Sequence, residues 1–219
     1  MKRIAAIVGV VLGLVASTAS ASVFEGRNAS NQVDLLCTSS GVTKCTSYYD
    51  SALGITILNN WKIGQGLFDL SQAPGSAQAI AATAGQNATG LSGWVLPTGD
   101  PNHQGSNQYL SIWNSAGATY AKLSLQFDNV VSDDYWSSSG ILFFDAWVFY
   151  TDLGLSFQGF SNKKMAFAVA VLDCDVANSV CQARHEVPTP PPTPTPTPAT
   201  IALLGLGLVG IGATRRKRA

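Results

Sequence analysis

Seven prolines within eleven residues, Pro188 to Pro198, limit what this 219-residue chain can fold into more than any other feature. Proline lacks a backbone N–H and its ring fixes φ, so the run can neither pair within a sheet nor continue a helix. It is expected to form polyproline II, a semi-rigid spacer of about 3.1 Å per residue. The folded body must therefore precede it. Charge follows the same division: Lys2 and Arg3 stand at one extreme and Arg215, Arg216, Lys217 and Arg218 at the other, while all 13 acids and every aromatic lie between them. Residues 22–187 carry seven basic and 13 acidic side chains, a net of −6. With 46% hydrophobic and only 12% charged residues, a packed core is expected. The composition excludes a disordered chain and a basic nucleic-acid binder. No apolar run reaches the ~18–20 residues of a membrane span, which excludes a polytopic membrane protein.

Both ends read as addresses. Lys2 and Arg3 precede a 12-residue apolar stretch, Ile4 to Val15, and then Ala19-Ser20-Ala21. That order of charge, apolar run and small residues predicts a signal peptide at 1–21, cut by signal peptidase after Ala21. Beyond the prolines, Ala199 to Thr214 is a 16-residue uncharged stretch. As a helix it would rise about 24 Å, short of a ~30 Å hydrocarbon core. The terminal Arg215, Arg216, Lys217 and Arg218 favour the cytoplasmic side.

Spacer, marginal helix and basic tip together resemble the PEP-CTERM sorting signal. Pro188-Thr189-Pro190 stands where that family has Pro-Glu-Pro, and ATIALLGLGLVGIGATRRKRA, Ala199 to Ala219, matches the remainder. The resemblance implies transient inner-membrane anchoring, processing by an exosortase-type peptidase, and delivery to the cell surface or extracellular matrix of a Gram-negative bacterium.

The body reads as short strands and helices. Leu53 to Leu58 is β-rich, Trp94 to Leu96 is a short strand stopped by Pro97, and Asp134 to Ser138, Ala146 to Tyr150 and Ala166 to Leu172 are further strands. Ser76 to Ala84 is a helix that Gly85-Gln86-Asn87 should end. Gln108 to Ala116 is a second helix, with Tyr109, Ile112 and Trp113 on one face. Helices early and strands late argue for α+β rather than a parallel βαβ sheet.

The blocks Tyr49 to Leu58, Gly93 to Thr98, Tyr135 to Ser139, Ala146 to Gly154 and Ala166 to Val171 resemble, in order, those of the DUF1566 (Lcl C-terminal-like) family over residues 47–175. The resemblance implies a C-type-lectin-like α+β domain, two helices against a mostly antiparallel sheet. The expected organisation is then 1–21 signal peptide, 22–46 N-terminal segment with a cysteine pair, 47–175 domain, 176–198 spacer and 199–219 sorting tail. Ile57, Val95 and Leu172 stand where the family has Trp, Arg and Arg, so charge-based contacts of the family are not carried over.

An exported chain favours disulfides. Four cysteines allow three pairings. The favoured pairing is Cys37 with Cys45 and Cys174 with Cys181, each stapling a short polar loop; the rival would join the two ends of the domain. Neither spacing is C-x-x-C, and no resident metal or cofactor is expected. Asp133, Asp134 and Asp145 offer oxygens to a hard cation such as calcium, without the regular spacing of a calcium loop. Asp173 and Asp175 read as a solvated rim, and His185, beside the prolines, as solvated. Asp100, Asn102 and His103 occupy a turn that could line a ligand. Trp94, Trp136 and Trp147 match positions that the resemblance implies are structural, and at most one of the five tryptophans is expected to be an exposed platform. Phe143 and Phe144, between two strands, are candidates for an apolar contact surface. No catalytic motif is present. The expectation is a non-catalytic binding or matrix protein that contacts polysaccharide or a surface protein. Its rivals are an exported enzyme on the formylglycine-generating type of scaffold, which needs a free thiol, and a purely structural matrix protein.

Overall fold

The apolar run 166–172 is buried along its whole length, no residue exceeding 8% exposure, because it serves two sheets in succession. The computed structural model describes residues 24–38, 43–68, 73–142, 145–160 and 165–188. Its strands in chain order are β1 (Phe24–Arg27), β2 (Ser47–Asp50), β3 (Ile55–Leu58), β4 (Gln65–Gly66), β5 (Asp134–Leu142), β6 (Asp145–Tyr150), β7 (Leu155–Phe160), β8 (Ala166–Phe167) and β9 (Val171–Leu172). One sheet has the order β1-β2-β3-β9 and the other β4-β8-β5-β6-β7. All pairs are antiparallel except β5 with β8. The single strand expected over Ala166 to Leu172 is thus two short strands, β8 in one sheet and β9 in the other. The three residues between them, Ala168, Val169 and Ala170, are fully buried.

Helices α1 (Ala77–Thr89), α2 (Gln108–Ala116), α3 (Tyr120–Gln126) and α4 (Ser179–His185) complete an α+β fold. Each begins at a residue whose side-chain oxygen accepts from the first turn: Ser76 from Ala79 N, Asn107 from Leu110 N, Thr119 from Lys122 N and Asn178 from Val180 N. Such caps contribute about 1 kcal/mol each. Helix α2 has the expected bounds and buries Tyr109, Ile112 and Trp113. Helix α1 runs past its expected stop. A Cβ at Gly85 would lie 2.1 Å from the Trp94 ring, so this glycine admits an indole against the helix rather than ending it. The end comes at Gly90, in the left-handed conformation at φ 74°.

Strand alternation sorts the core into two clusters, one on each face of the five-stranded sheet. Tyr135 and Phe149 join Trp61, Tyr109, Ile112, Trp113, Leu123 and Phe127. Their neighbours Trp136 and Val148 join Ala77, Ala81, Trp94, Leu96 and Leu172. Trp94 to Leu96 is not a strand; Val95 makes a lone bridge to Val171. Leu53 and Gly54 belong to the β2–β3 turn, where Asp50 Oδ1 accepts from Ala52 N and Leu53 N.

The folded unit is wider than 47–175. Among the described residues the folded unit runs on to Glu186. Strand β1 extends the first sheet, and residues 176–186, expected as spacer, contain α4. Two helices and one sheet were expected; α3, α4 and a second sheet are additional. Among the described residues no helix is long and apolar enough to cross a membrane. The signal segment ending at Ala21 and the sorting tail with Thr189, Pro190, Arg215, Arg216, Lys217 and Arg218 lie outside the described residues. Pro188 is the last described residue, and it is exposed.

Candidate functional site: a half-buried tryptophan on the five-stranded sheet

Four of the five tryptophans, Trp61, Trp94, Trp113 and Trp136, are at most 5% exposed. The fifth, Trp147, is half-buried and belongs to neither core cluster. Its position follows from register. Strand β5 pairs Trp136 with Val148 and Gly140 with Ala146, so the three serines 137–139 form an irregular stretch opposite Trp147. Alternation turns Ala146 and Val148 into the second cluster and puts Trp147 on the face of Phe149. There the Phe149 ring stacks on Tyr109 at 5.0 Å, and Trp147 lies one pleat further towards the hairpin end.

Polar groups flank the indole on the same face. Gln158 of β7 is the cross-strand partner of Trp147, and its Nε2 donates to Asp145 Oδ2 at 2.8 Å. Asp145 lies two residues before Trp147 and is half-buried; Gln158 is exposed. A half-buried indole beside a carboxylate and an amide suits a ligand with one apolar face and a rim of hydroxyls.

The turn holding Asp100, Asn102 and His103 is fastened to the serine stretch. Ser138 N donates to Pro97 O at 2.8 Å and Gly99 N to Ser139 Oγ at 3.2 Å. A Cβ on Gly99 would come within 2.7 Å of Ser137 Cβ. The three residues do come together, but their polar atoms serve the turn. Asp100 Oδ1 accepts from Asn102 N at 2.8 Å and Oδ2 meets His103 Nδ1 at 2.7 Å. The His103 hydrogen bond, then that of Asn102 N, holds the Asp100 carboxyl below the usual carboxylate range. The His103 ring is largely exposed. Phe143 and Phe144 lie outside the described residues, between Leu142 and Asp145. Phe157, on the opposite face of β7 from Gln158, is 39% exposed and makes an edge contact with Tyr150.

Asp133, Asp134 and Asp145 do not meet. Asp134 pairs with Tyr150 at one end of the β5–β6 ladder and Asp145 with Leu142 at the other, so one hard cation cannot use all three. The described residues with Cys, His or carboxylate atoms close enough for one ion are Cys174, Cys181 and His185, all within 4.8 Å.

Both short-range cysteine pairs are disulfides, Cys37–Cys45 and Cys174–Cys181, and no cysteine is free. They fit a chain folded in an oxidising compartment, periplasmic or extracellular. The ends of the domain do meet, as the rival pairing required, but through an ion pair. Arg27 Nε and Nη2 each donate to Asp175 at 2.8 Å, so Asp175 is not a solvated rim. His185 is not solvated either: its carbonyl accepts from Ser92 N at 2.7 Å and Ser92 Oγ at 2.9 Å, and its Nε2 is buried 3.3 Å from Asp173 Oδ1.

An open cleft of about 410 Å³ lies between Asn59, Asn60, Asn87 and Ile63. Several of its polar groups are engaged internally: Lys44 Nζ with Asp128 at 2.8 Å, Asn59 Nδ2 with Cys45 O at 2.8 Å, and Asn129 Nδ2 with Asn60 Oδ1 at 3.2 Å. The His103 ring bonds to Asp100, and the His185 ring neighbours Asp173 and a disulfide.

Neither the protein-family models nor the curated proteins contain a match to this chain.

Proposed function

We propose that the chain is an exported, surface-sorted, non-catalytic binding protein whose DUF1566-like, lectin-like domain contacts neutral extracellular polysaccharide through Trp147, with Asp145 and Gln158 meeting hydroxyls at the rim. The observation that carries this reading is the isolation of Trp147. It is the tryptophan left out of both cores, and it sits beside a hydrogen-bonded carboxylate–amide pair. The PEP-CTERM-like tail supports sorting to the surface by way of a transient membrane anchor. The net of −6 over residues 22–187 disfavours polyanionic glycans, whose repulsion acts over ~8 Å at physiological salt. Closure of all four cysteines in disulfides argues against a thiol-dependent oxidase.

The test is affinity electrophoresis of the oxidised protein in gels containing neutral polysaccharides or heparin. Retardation by a neutral polysaccharide is expected to persist at high salt. Trp147→Ala should weaken it about thirty-fold, as loss of ~2 kcal/mol at an aromatic contact would, with the melting temperature held within a few degrees. Retardation of Trp147→Ala equal to wild type would remove the indole from the site. Salt-sensitive heparin binding would replace the neutral ligand with an anionic one.

A further inference from the structure

Cys174, Cys181 and His185 form one corner of the fold, closed in this structure by the Cys174–Cys181 disulfide. Cys181 and His185 stand four residues apart on α4 and so share a face. The two sulfurs and one imidazole nitrogen all lie within 4.8 Å of one another. Cys181 is 2% exposed. The ring is pre-placed. Gly93, at φ 86°, leaves room for it, since a Cβ there would stand 2.5 Å from His185 Nδ1. The backbone is anchored by the two Ser92 bonds and by the Leu91–Glu186 bridge. His185 Nε2 is buried without a hydrogen-bond partner, and the Asp173 carboxylate at 3.3 Å brings negative charge to the same spot.

We propose that, when its disulfide is open, this corner is a zinc site with Cys174, Cys181 and His185 as ligands and Asp173 balancing the charge of the dication. Two thiolates and an imidazole are a soft, zinc-selective set. With Zn–S bonds of about 2.3 Å, tetrahedral coordination needs the sulfurs about 3.8 Å apart. That separation requires the sulfurs to part once the S–S bond is gone. The chemistry balances. A trialkylphosphine with water reduces the disulfide, giving the phosphine oxide and two thiols. Zn²⁺ then displaces the two thiol protons. Oxidation by an external disulfide reverses the sequence, releasing Zn²⁺ as the S–S bond forms. Zinc and the disulfide are therefore mutually exclusive closures of one loop. This inference is independent of the polysaccharide reading, because its readouts involve no glycan.

The test is titration of the full chain, reduced by phosphine, with Co²⁺ and then Zn²⁺. One equivalent of Co²⁺ should give thiolate-to-cobalt charge-transfer absorption in the near ultraviolet, which Zn²⁺ abolishes. His185→Ala should weaken the site at least ten-fold. Under iodoacetamide, zinc should protect Cys174 and Cys181 while Cys37 and Cys45 are alkylated. The Cys37→Ser/Cys45→Ser variant should keep the full signal. The proposal is overturned by absent charge-transfer absorption, by equal Co²⁺ binding to the oxidised chain, or by an unchanged affinity in His185→Ala. Alkylation of Cys174 and Cys181 as fast with zinc as without it also overturns it, including the case in which reduction unfolds the corner.

Discussion

Two ion pairs of this protein have the same length and stand in the same covalent context. Lys44–Asp128 and Arg27–Asp175 both close at 2.8 Å, and each has a member next to a disulfide cysteine, Cys45 or Cys174. Their surroundings differ. The Lys44 side chain is 54% exposed, whereas that of Arg27 is 1% exposed. Arg27 also bonds Glu25 and the Gly26 carbonyl, each at 3.0 Å, and its guanidinium lies 5.3 Å from the centre of the Tyr49 ring. Burial pulls the Arg27 pKa down, but the Asp175 and Glu25 bonds outweigh it and raise the value above the ordinary one. For Asp175 burial pushes upward, but the bonds from Arg27 and from Ala177 N, together with the Arg27 charge, outweigh it and hold the carboxyl below the usual range. Geometry alone therefore says little about worth. An exposed pair exchanges water for protein at nearly even terms, whereas a buried charge depends on every partner it keeps.

The largest expected effect is at the buried pair. Asp175→Asn leaves Arg27 buried with Glu25 as its remaining carboxylate, and should cost about 3 kcal/mol. For a domain of this size that is a fall of roughly 6–12 °C in a thermal melt. A fall under 2 °C would place the two pairs in one class and end the comparison. The pH dependence has a fixed sign. A carboxyl with a depressed folded-state pKa contributes fully above its unfolded value, ~3.9, and loses that contribution as pH falls through the lower folded value. Wild type should therefore lose stability below about pH 4 more steeply than Asp175→Asn, as read by melts across pH 2–6.

The disulfides give the next effect. Sequence separations of 8 and 7 assign nearly the same chain entropy to both, about 2.5 kcal/mol each. Cys37→Ala/Cys45→Ala and Cys174→Ala/Cys181→Ala thus begin level, and any difference reports folded-state contacts. The C-terminal bridge adjoins Asp175, and the Cys174 carbonyl accepts from Thr56 Oγ1 at 2.6 Å. Its loss should therefore be less than additive with Asp175→Asn, and further from additive than loss of the N-terminal bridge, which reaches Arg27 only through Gly26. Denaturant melts of the two combined variants read this directly; equal additivity would separate Asp175 from its disulfide.

The contrast also explains what was legible in the sequence. Helix α2 was readable to the residue because Asn107 and Gly117 supply its cap and its left-handed stop and its apolar face keeps helical spacing. Export made disulfides the expectation and favoured the two local pairs, but cysteine spacing alone could not exclude the rival that joins the domain's ends. Strand β1 was not readable: Phe24-Glu25-Gly26-Arg27 has no β signature, and Arg27 is buried only because Asp175, 148 residues on, receives it. Helix α4 hides between a cysteine and a proline run. At the candidate site, Ala146 to Tyr150 alternates in a way that marks Trp147 and Phe149 alike as inward. Only the register with Gln158 and the stretch of serines 137–139 distinguish the platform from the core.

The smallest expected effect is at the exposed pair. Lys44→Ala removes a charge whose side chain is mostly in water, so the expected cost is below about 0.5 kcal/mol, or under ~2 °C in the melt. Asp128 keeps its surroundings without the lysine: its backbone N–H still donates to Asn59 Oδ1 and Asn59 O, both at 3.0 Å, and its carbonyl still accepts from Trp61 N at 2.9 Å. Salt sharpens the prediction. At 1 M ionic strength the Debye length shrinks to about 3 Å, and the small difference between Lys44→Ala and wild type should vanish. The deficit of Asp175→Asn should persist there, because salt ions do not reach a guanidinium that is 1% exposed. A Lys44→Ala deficit as large as that of Asp175→Asn, or one equally indifferent to salt, would show that adjacency to a disulfide, rather than burial, sets the worth of an ion pair in this fold.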